Sequence, residues 1–193
     1  MLCWIDVETT GLNPYWGLDD DGDRLLQVAC LMTDKDLNLL DEDGFEAVIR
    51  YGAKATSIMR ALTPDIVREM HDKSGLWDML PNGTPLPIVE DKLFAYISKF
   101  APSPRMARLA GNSVRLDANF LDRFMSKVSS HLHYRMLDVS SLEYVATSWL
   151  NLPKFEKQKN HTAMEDIKES LAQARYIRSR LLRLEDDPCD PPF

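Results

Sequence analysis

The 193 residues are 45% hydrophobic, 27% charged and 9% aromatic, the balance of a globular domain with room for a sizeable core. No apolar run approaches the ~18–20 residues a membrane helix needs, so a membrane is excluded as a partner. The formal net charge is −7, but Asp19, Asp20, Asp21, Asp23, Glu185, Asp186, Asp187 and Asp190 form two local clusters, and the other 22 acids face 23 bases. That leaves no broad basic track of the kind that grips long duplex nucleic acid. A small anionic substrate, held by metal ions and a few basic groups, remains compatible.

The chain opens on Leu2-Cys3-Trp4-Ile5, a short apolar run read as a buried strand that delivers Asp6 and Glu8 at its C-terminal end. Thr9-Thr10-Gly11-Leu12 reads as the turn after it, and residues 13–23 as a loop with Pro14, Gly17 and Gly22. Residues 25–32 and 45–49 are two further strands, and tight turns between the three predict an antiparallel meander. Thr63-Pro64 predicts an N-cap with Pro at the first helical position, opening a short helix towards His71 that Lys73-Ser74-Gly75 ends. Residues 80–86 read as a loop. From Pro87, the residues Val89, Leu93, Tyr96, Ile97 and Phe100 recur at helical spacing.

Residues 106–110 predict a fourth strand running into Gly111-Asn112-Ser113, followed by one helix carrying Phe120, Leu121, Phe124, Met125 and Val128. Ser140 or Ser141 is expected to cap a helix with the stripe Leu142, Val145, Ala146 and Trp149; Phe120, Phe124 and Trp149 are expected in the core. Residues 153–160 form a lysine-bearing loop. Thr162-x-x-Glu165 is a capping box for a last helix reaching about residue 184. The acidic, proline-rich end, 186–193, is expected to be disordered. Together these elements predict a single α/β layered domain over residues 1–184 with a tail at 185–193. Cys3, Cys30 and Cys189 are scattered, which fits a reducing compartment rather than a disulfide framework. With no leader ahead of the first strand, the expected location is cytoplasmic.

Alternate residues of a strand share a face, so Asp6 and Glu8 project together, and two adjacent carboxylates call for a positive charge between them. Asp117 and Asp166 each lie in the first turn of a predicted helix. Taken singly, each has an ordinary structural role there, since carboxylates stabilise helix N-termini. His161 sits on the loop just before the last helix. As a set, four hard oxygen donors with no cysteine or histidine cluster suit Mg²⁺ or Mn²⁺ rather than zinc. Two such ions ~3.5–4 Å apart can clamp a phosphodiester, and a histidine of pKa ~6.5 can deprotonate the attacking water.

The stretches Trp4-Ile5-Asp6-Val7-Glu8-Thr9-Thr10-Gly11-Leu12, Gly111-Asn112-Ser113 through Asp117, and His161-Thr162-Ala163-Met164-Glu165-Asp166-Ile167 resemble the DEDDh exonucleases. His133-Tyr134-Arg135-Met136-Leu137-Asp138-Val139-Ser140 is similar to the oligoribonuclease branch, and the resemblance runs from Trp4 to about Arg178. It implies a ribonuclease H-like fold, a mixed central sheet with an antiparallel meander flanked by helices. It further implies a homodimer and 3′→5′ hydrolysis of dinucleotides and very short RNA to 5′ mononucleotides. By position, Asp6, Glu8, Asp117 and Asp166 hold two metal ions and His161 is the general base. Leu12 wedges against the bases, and Ser113 and His71 line the nucleotide pocket. Tyr134 and Arg135 reach into the neighbouring subunit's site, where Arg135 with Ser140 caps the substrate's 5′ phosphate and so limits strand length.

Three features depart from the family pattern. Ile66 stands where an aromatic is common, Leu116 where glutamine is usual, and the loop at residues 15–23 is longer. Loss of an aromatic removes ~1–3 kcal/mol of base stacking, which weakens strict dinucleotide preference. The alternatives are a broader single-strand 3′→5′ exonuclease acting on RNA or DNA, and a non-catalytic binding module of the same fold. His131 and His133 alternate like strand neighbours but have no accompanying ligand set, and residues 19–23 lack the closing glutamate of a calcium loop.

Overall fold

A computed structural model describes residues 1–15, 22–156 and 162–185. The elements are β1 (Leu2–Thr9), β2 (Leu25–Thr33), β3 (Phe45–Val48), α1 (Ala53–Leu62), α2 (Asp65–Ser74), α3 (Leu76–Met79), α4 (Leu86–Phe100) and β4 (Arg108–Gly111). They continue with α5 (Arg115–Phe124), α6 (Ser126–His131), β5 (His133–Asp138), α7 (Val139–Tyr144) and α8 (Ala163–Glu185). The five strands form one sheet in the order β3-β2-β1-β4-β5. The meander is antiparallel as expected, whereas β1, β4 and β5 run parallel to one another. Their C-terminal ends therefore meet at one edge, the place where open α/β sheets hold ligands.

The sheet is covered on both faces, and strand alternation decides which side chain goes where. Cys3, Ile5 and Val7 pack with Val89, Leu93 and Ile97 of α4 and with Phe120 and Leu121 of α5. Trp4 points the other way, into a cluster with Ala163, Ile167, Leu171, Ala174 and Ile177 of α8. Asp6 and Glu8 share Trp4's parity and so face α8. All nine residues of β2 are buried, which is why it reads as a continuous apolar run.

Several elements differ from expectation. Helix α1 was invisible in the sequence because only Thr56 on it is buried, so it carries no clear apolar stripe. Thr63 belongs to the end of α1, its hydroxyl donating to the Met59 carbonyl (2.8 Å), and Pro64 is the N-cap of α2 rather than its first helical residue. Gly75 ends α2 in the left-handed conformation (φ 73°), the role glycine fills at helix C-termini. The single helix expected after Ser113 is two, broken at the buried Met125 (φ −137°, ψ 56°).

Helix α7 is capped by Asp138, which accepts the Ser140 N–H, and not by a serine. Its continuation, Val145–Trp149, winds as a π turn. The wider turn rotates Trp149 off the apolar stripe, leaving it 68% exposed rather than in the core. His131 ends α6 instead of a strand. It is buried, with Nε2 2.7 Å from the Ala101 carbonyl. Among the described residues, no helix is long and apolar enough to cross a membrane. The acidic tail from residue 186 and most of the acidic loop lie outside the described residues.

Candidate active site

Three parallel strand ends build the site. From β1, Asp6 and Glu8 project towards the first turn of α8, where Asp166 is the fourth residue. Oxygens of these three carboxylates lie within 4.8 Å of one another. Asp117 enters from the opposite layer, on α5. The pairing of β4 with β1 stops at Trp4, and the Val7 N–H beyond it donates to Asp117 Oδ1 (3.1 Å). Asp117 is thus tied to the strand end beside the three-acid cluster instead of inside it. His161 lies outside the described residues.

Burial and mutual repulsion set the charge state. Loss of hydration, helped by the negative charge of Asp166, pushes the Glu8 carboxyl up to about 7. Burial also pushes Asp117 up to about 7; the Val7 N–H opposes the shift, and Glu8 and Asp138 add to it. The donors of the cluster are all carboxylate oxygens, which fits a hard divalent cation.

This makes a sign-definite prediction for the metal-free protein. A carboxyl whose pKa rises on folding contributes stability below its unfolded value, near 4.5, and loses it as pH rises through about 7. Glu8→Gln removes that dependence. In EDTA, its melting temperature relative to the unmodified chain is expected to climb between pH 4.5 and 7.5, by the equivalent of at most about 3 kcal/mol. A constant difference across that range would mean that Glu8 is not destabilised by its surroundings.

Of the substrate-binding candidates, His71, Leu12, Ser113 and Ser140 lie at the same strand-end edge, whereas Tyr134 and Arg135 lie near the start of β5, away from it. His71 is buried, with Nε2 2.8 Å from the Thr9 carbonyl and Nδ1 3.8 Å from Glu8 Oε2. Burial holds its pKa below the usual value, so the ring is neutral at pH 7. Trp77 packs edge-on against it (5.5 Å). Leu12, just past β1, is 72% exposed. Ser113 and Ser140 meet: the Ser113 N–H donates to Ser140 Oγ (3.0 Å) and to Asp138 Oδ1 (3.1 Å). Tyr134 and Arg135 are exposed on β5, the sheet's edge strand, with the guanidinium 5.4 Å from the tyrosine ring centre. Ile66 is exposed on α2, and Leu116 packs at the margin of the core.

Two residues that position this edge were not singled out from the sequence. Asp138 accepts both the Ser113 and the Ser140 N–H. Asn112 accepts the Ser140 hydroxyl (3.1 Å) and donates to Ser170 Oγ (2.8 Å) and Gln173 Oε1 (3.0 Å) of α8. The network holds Ser113 in the left-handed region (φ 52°), which is costly for a residue with a side chain. The signal was present in the Gly111-Asn112-Ser113 and Leu137-Asp138 stretches, but apart from the local Asp138–Ser140 bond the partners are 25 to 61 residues apart.

Comparison with known proteins places this chain in a family. The RNase T exonuclease model matches residues 3–174. The oligoribonucleases of Streptomyces avermitilis and Streptomyces coelicolor are each 42% identical over 190 residues, covering 97% of this chain and 90% of theirs. The chain belongs to the oligoribonuclease family. A more distant relative, the probable oligoribonuclease of Schizosaccharomyces pombe, is 38% identical over 180 residues, covering 92% of this chain and 67% of its own.

Among solved structures, exonuclease I of Methylocaldum szegediense superposes with a TM-score of 0.67 at 18% identity over 95% of this chain. Escherichia coli exonuclease I in complex with a dT13 oligonucleotide gives 0.61 at 15% identity over 96%. This chain spans only 41% and 42% of those two proteins. At that identity the likeness establishes the exonuclease fold, of ribonuclease H type, which the mixed sheet and its flanking helices share.

Proposed function

We propose that this chain is a 3′→5′ exoribonuclease that cuts dinucleotides and very short oligoribonucleotides to 5′ mononucleotides. The observation that carries this reading is the convergence of Asp6, Glu8 and Asp166 at one sheet edge, in a chain 42% identical to oligoribonucleases. Asp6, Glu8, Asp117 and Asp166 would hold two divalent cations, Mg²⁺ or Mn²⁺. When bound, the pair neutralises the charge that builds on a phosphodiester as it is displaced.

His161 takes the proton of the attacking water. Its place in the chain, on the approach to α8 and five residues before Asp166, supports that role. Leu12 presents an aliphatic surface at the mouth of the site, against which a base packs. His71, neutral and pinned by the Thr9 carbonyl, lines the pocket without adding charge. Ser113 lines the nucleotide pocket with His71, and Ser140, with Arg135 from the other copy, caps the substrate's 5′ phosphate. Tyr134 and Arg135, exposed on an edge strand, cross a homodimer interface into the other copy's site. The domain comprises residues 1–184, and we place it in the cytoplasm, where the buried thiols of Cys3 and Cys30 stay reduced.

The competing reading is a broader single-strand exonuclease, favoured by the exposed Ile66 where a stacking aromatic is usual. Hydrolysis of two-, three- and seven-nucleotide RNAs in Mn²⁺ separates the two. The dinucleotide is expected to have the highest kcat/KM, about tenfold or more above the heptamer. A flat length profile would overturn the dinucleotide reading and leave the broader one.

A further inference from the structure

Leu12 is largely exposed, so side-chain packing does little to hold it where a base would meet it. An exposed side chain of this kind is preorganised through its backbone, and the backbone here is fixed by Asp23. Both oxygens of that carboxylate are used, one on each flank of Leu12. Oδ1 accepts the Thr10 hydroxyl (3.1 Å) and Oδ2 accepts the Asn13 N–H (2.9 Å). The Asp23 N–H returns to the Asn13 carbonyl (2.9 Å), and the Arg24 N–H donates to Thr10 Oγ1 (2.9 Å). A Cβ added to Gly11 would overlap the Asp23 carboxylate, so the backbone just before Leu12 lies directly against it. The turn is also anchored to the catalytic edge. The β1–β2 register shifts between Glu8 and Thr9, the Thr9 carbonyl accepts from His71 Nε2 (2.8 Å), and the Thr9 hydroxyl donates to the Gly11 carbonyl (2.6 Å).

We infer that Asp23 is a positioning residue of the nucleotide site: its carboxylate clamps residues 10–13 and so holds Leu12 in the pose that packs on a substrate base. The inference rests on the exoribonuclease reading above, in which Leu12 meets that base. A turn ordered before the substrate arrives spares binding the entropy of fixing it, so affinity is gained without a new contact. Loss of the clamp therefore weakens binding and leaves the chemical step alone, because Asp6, Glu8 and Asp166 keep their places. An aspartate suits the task better than an asparagine, since it accepts at two oxygens and the amide at only one. Asp23 thus has a role that its membership of an acidic run conceals in the sequence.

The test is a double-mutant cycle on dinucleotide hydrolysis in Mn²⁺, with Leu12→Ala, Asp23→Ala and the pair. Leu12→Ala is expected to raise KM about tenfold, as loss of one aliphatic contact would, with kcat nearly unchanged. Asp23→Ala is expected to raise KM about threefold to tenfold, and the pair no further than Leu12→Ala alone. Asp23→Asn, which keeps one acceptor oxygen, falls between Asp23→Ala and the unmodified chain. The rise in melting temperature on adding Mn²⁺ stays at its full value throughout. Additive effects in the pair would overturn the inference, because Asp23 would then act by another route. So would a fall in kcat or a weaker Mn²⁺ response in Asp23→Ala, which would place its effect at the carboxylate cluster. Should Asp23→Ala melt below the assay temperature, the cycle is read with Asp23→Asn on the same criteria. If Leu12→Ala leaves KM unchanged, Leu12 meets no base and the inference falls with it. If the unmodified chain hydrolyses no dinucleotide, the exoribonuclease reading itself fails, and the two failures are distinct.

Discussion

Asp166→Asn is expected to lower Mn²⁺-dependent hydrolysis of a dinucleotide by about 10²–10³-fold or more while leaving the chain folded. Asp166 contributes one of three oxygens that lie within 4.8 Å of one another, and its charge helps hold Glu8 in the protonated form near neutral pH. Removing that charge relieves repulsion, so in EDTA the variant should melt no lower than the unmodified chain. The stabilisation gained on adding Mn²⁺ should shrink, since a ligand that binds only the folded state raises its stability in proportion to affinity. Single-turnover hydrolysis and paired melts with and without Mn²⁺ read both effects. A variant within tenfold of full activity would place the ions elsewhere.

His161→Ala should cost about 10²–10⁴ in rate, the usual contribution of a positioned general base. It should nevertheless keep the full Mn²⁺-induced rise in melting temperature. That pairing separates a proton acceptor from a metal ligand, because losing a ligand lowers both readouts together. If the Mn²⁺ response falls along with the rate, His161 is a ligand and the base lies elsewhere.

The carboxylates were legible because their positions follow from local rules. Alternation along β1 puts residues 6 and 8 on the face of Trp4, and the capping pattern at Thr162 puts Asp166 in the first turn of α8. The meander was legible for the same reason: apolar runs separated by turn residues. What the sequence hid depends on contacts distant in the chain or on a missing apolar stripe. Helix α1 buries only Thr56, so nothing in its spacing announces a helix. Trp149 sits at a helical interval from Leu142 and Val145, yet one π turn carries it into solvent. Asp117's bond to the Val7 N–H joins residues 110 apart. It depends on β4 being too short to reach that far, a length no local pattern encodes.

The order in which the acids occur along the polypeptide has a biological edge. β1 supplies Asp6 and Glu8 first, but Asp166 arrives only with α8, after all five strands. A nascent polypeptide halted anywhere before that helix has an incomplete acid cluster. On the exoribonuclease reading, a fragment cut short before α8 is therefore expected to leave short RNA intact, so that activity switches on only once α8 has joined the sheet.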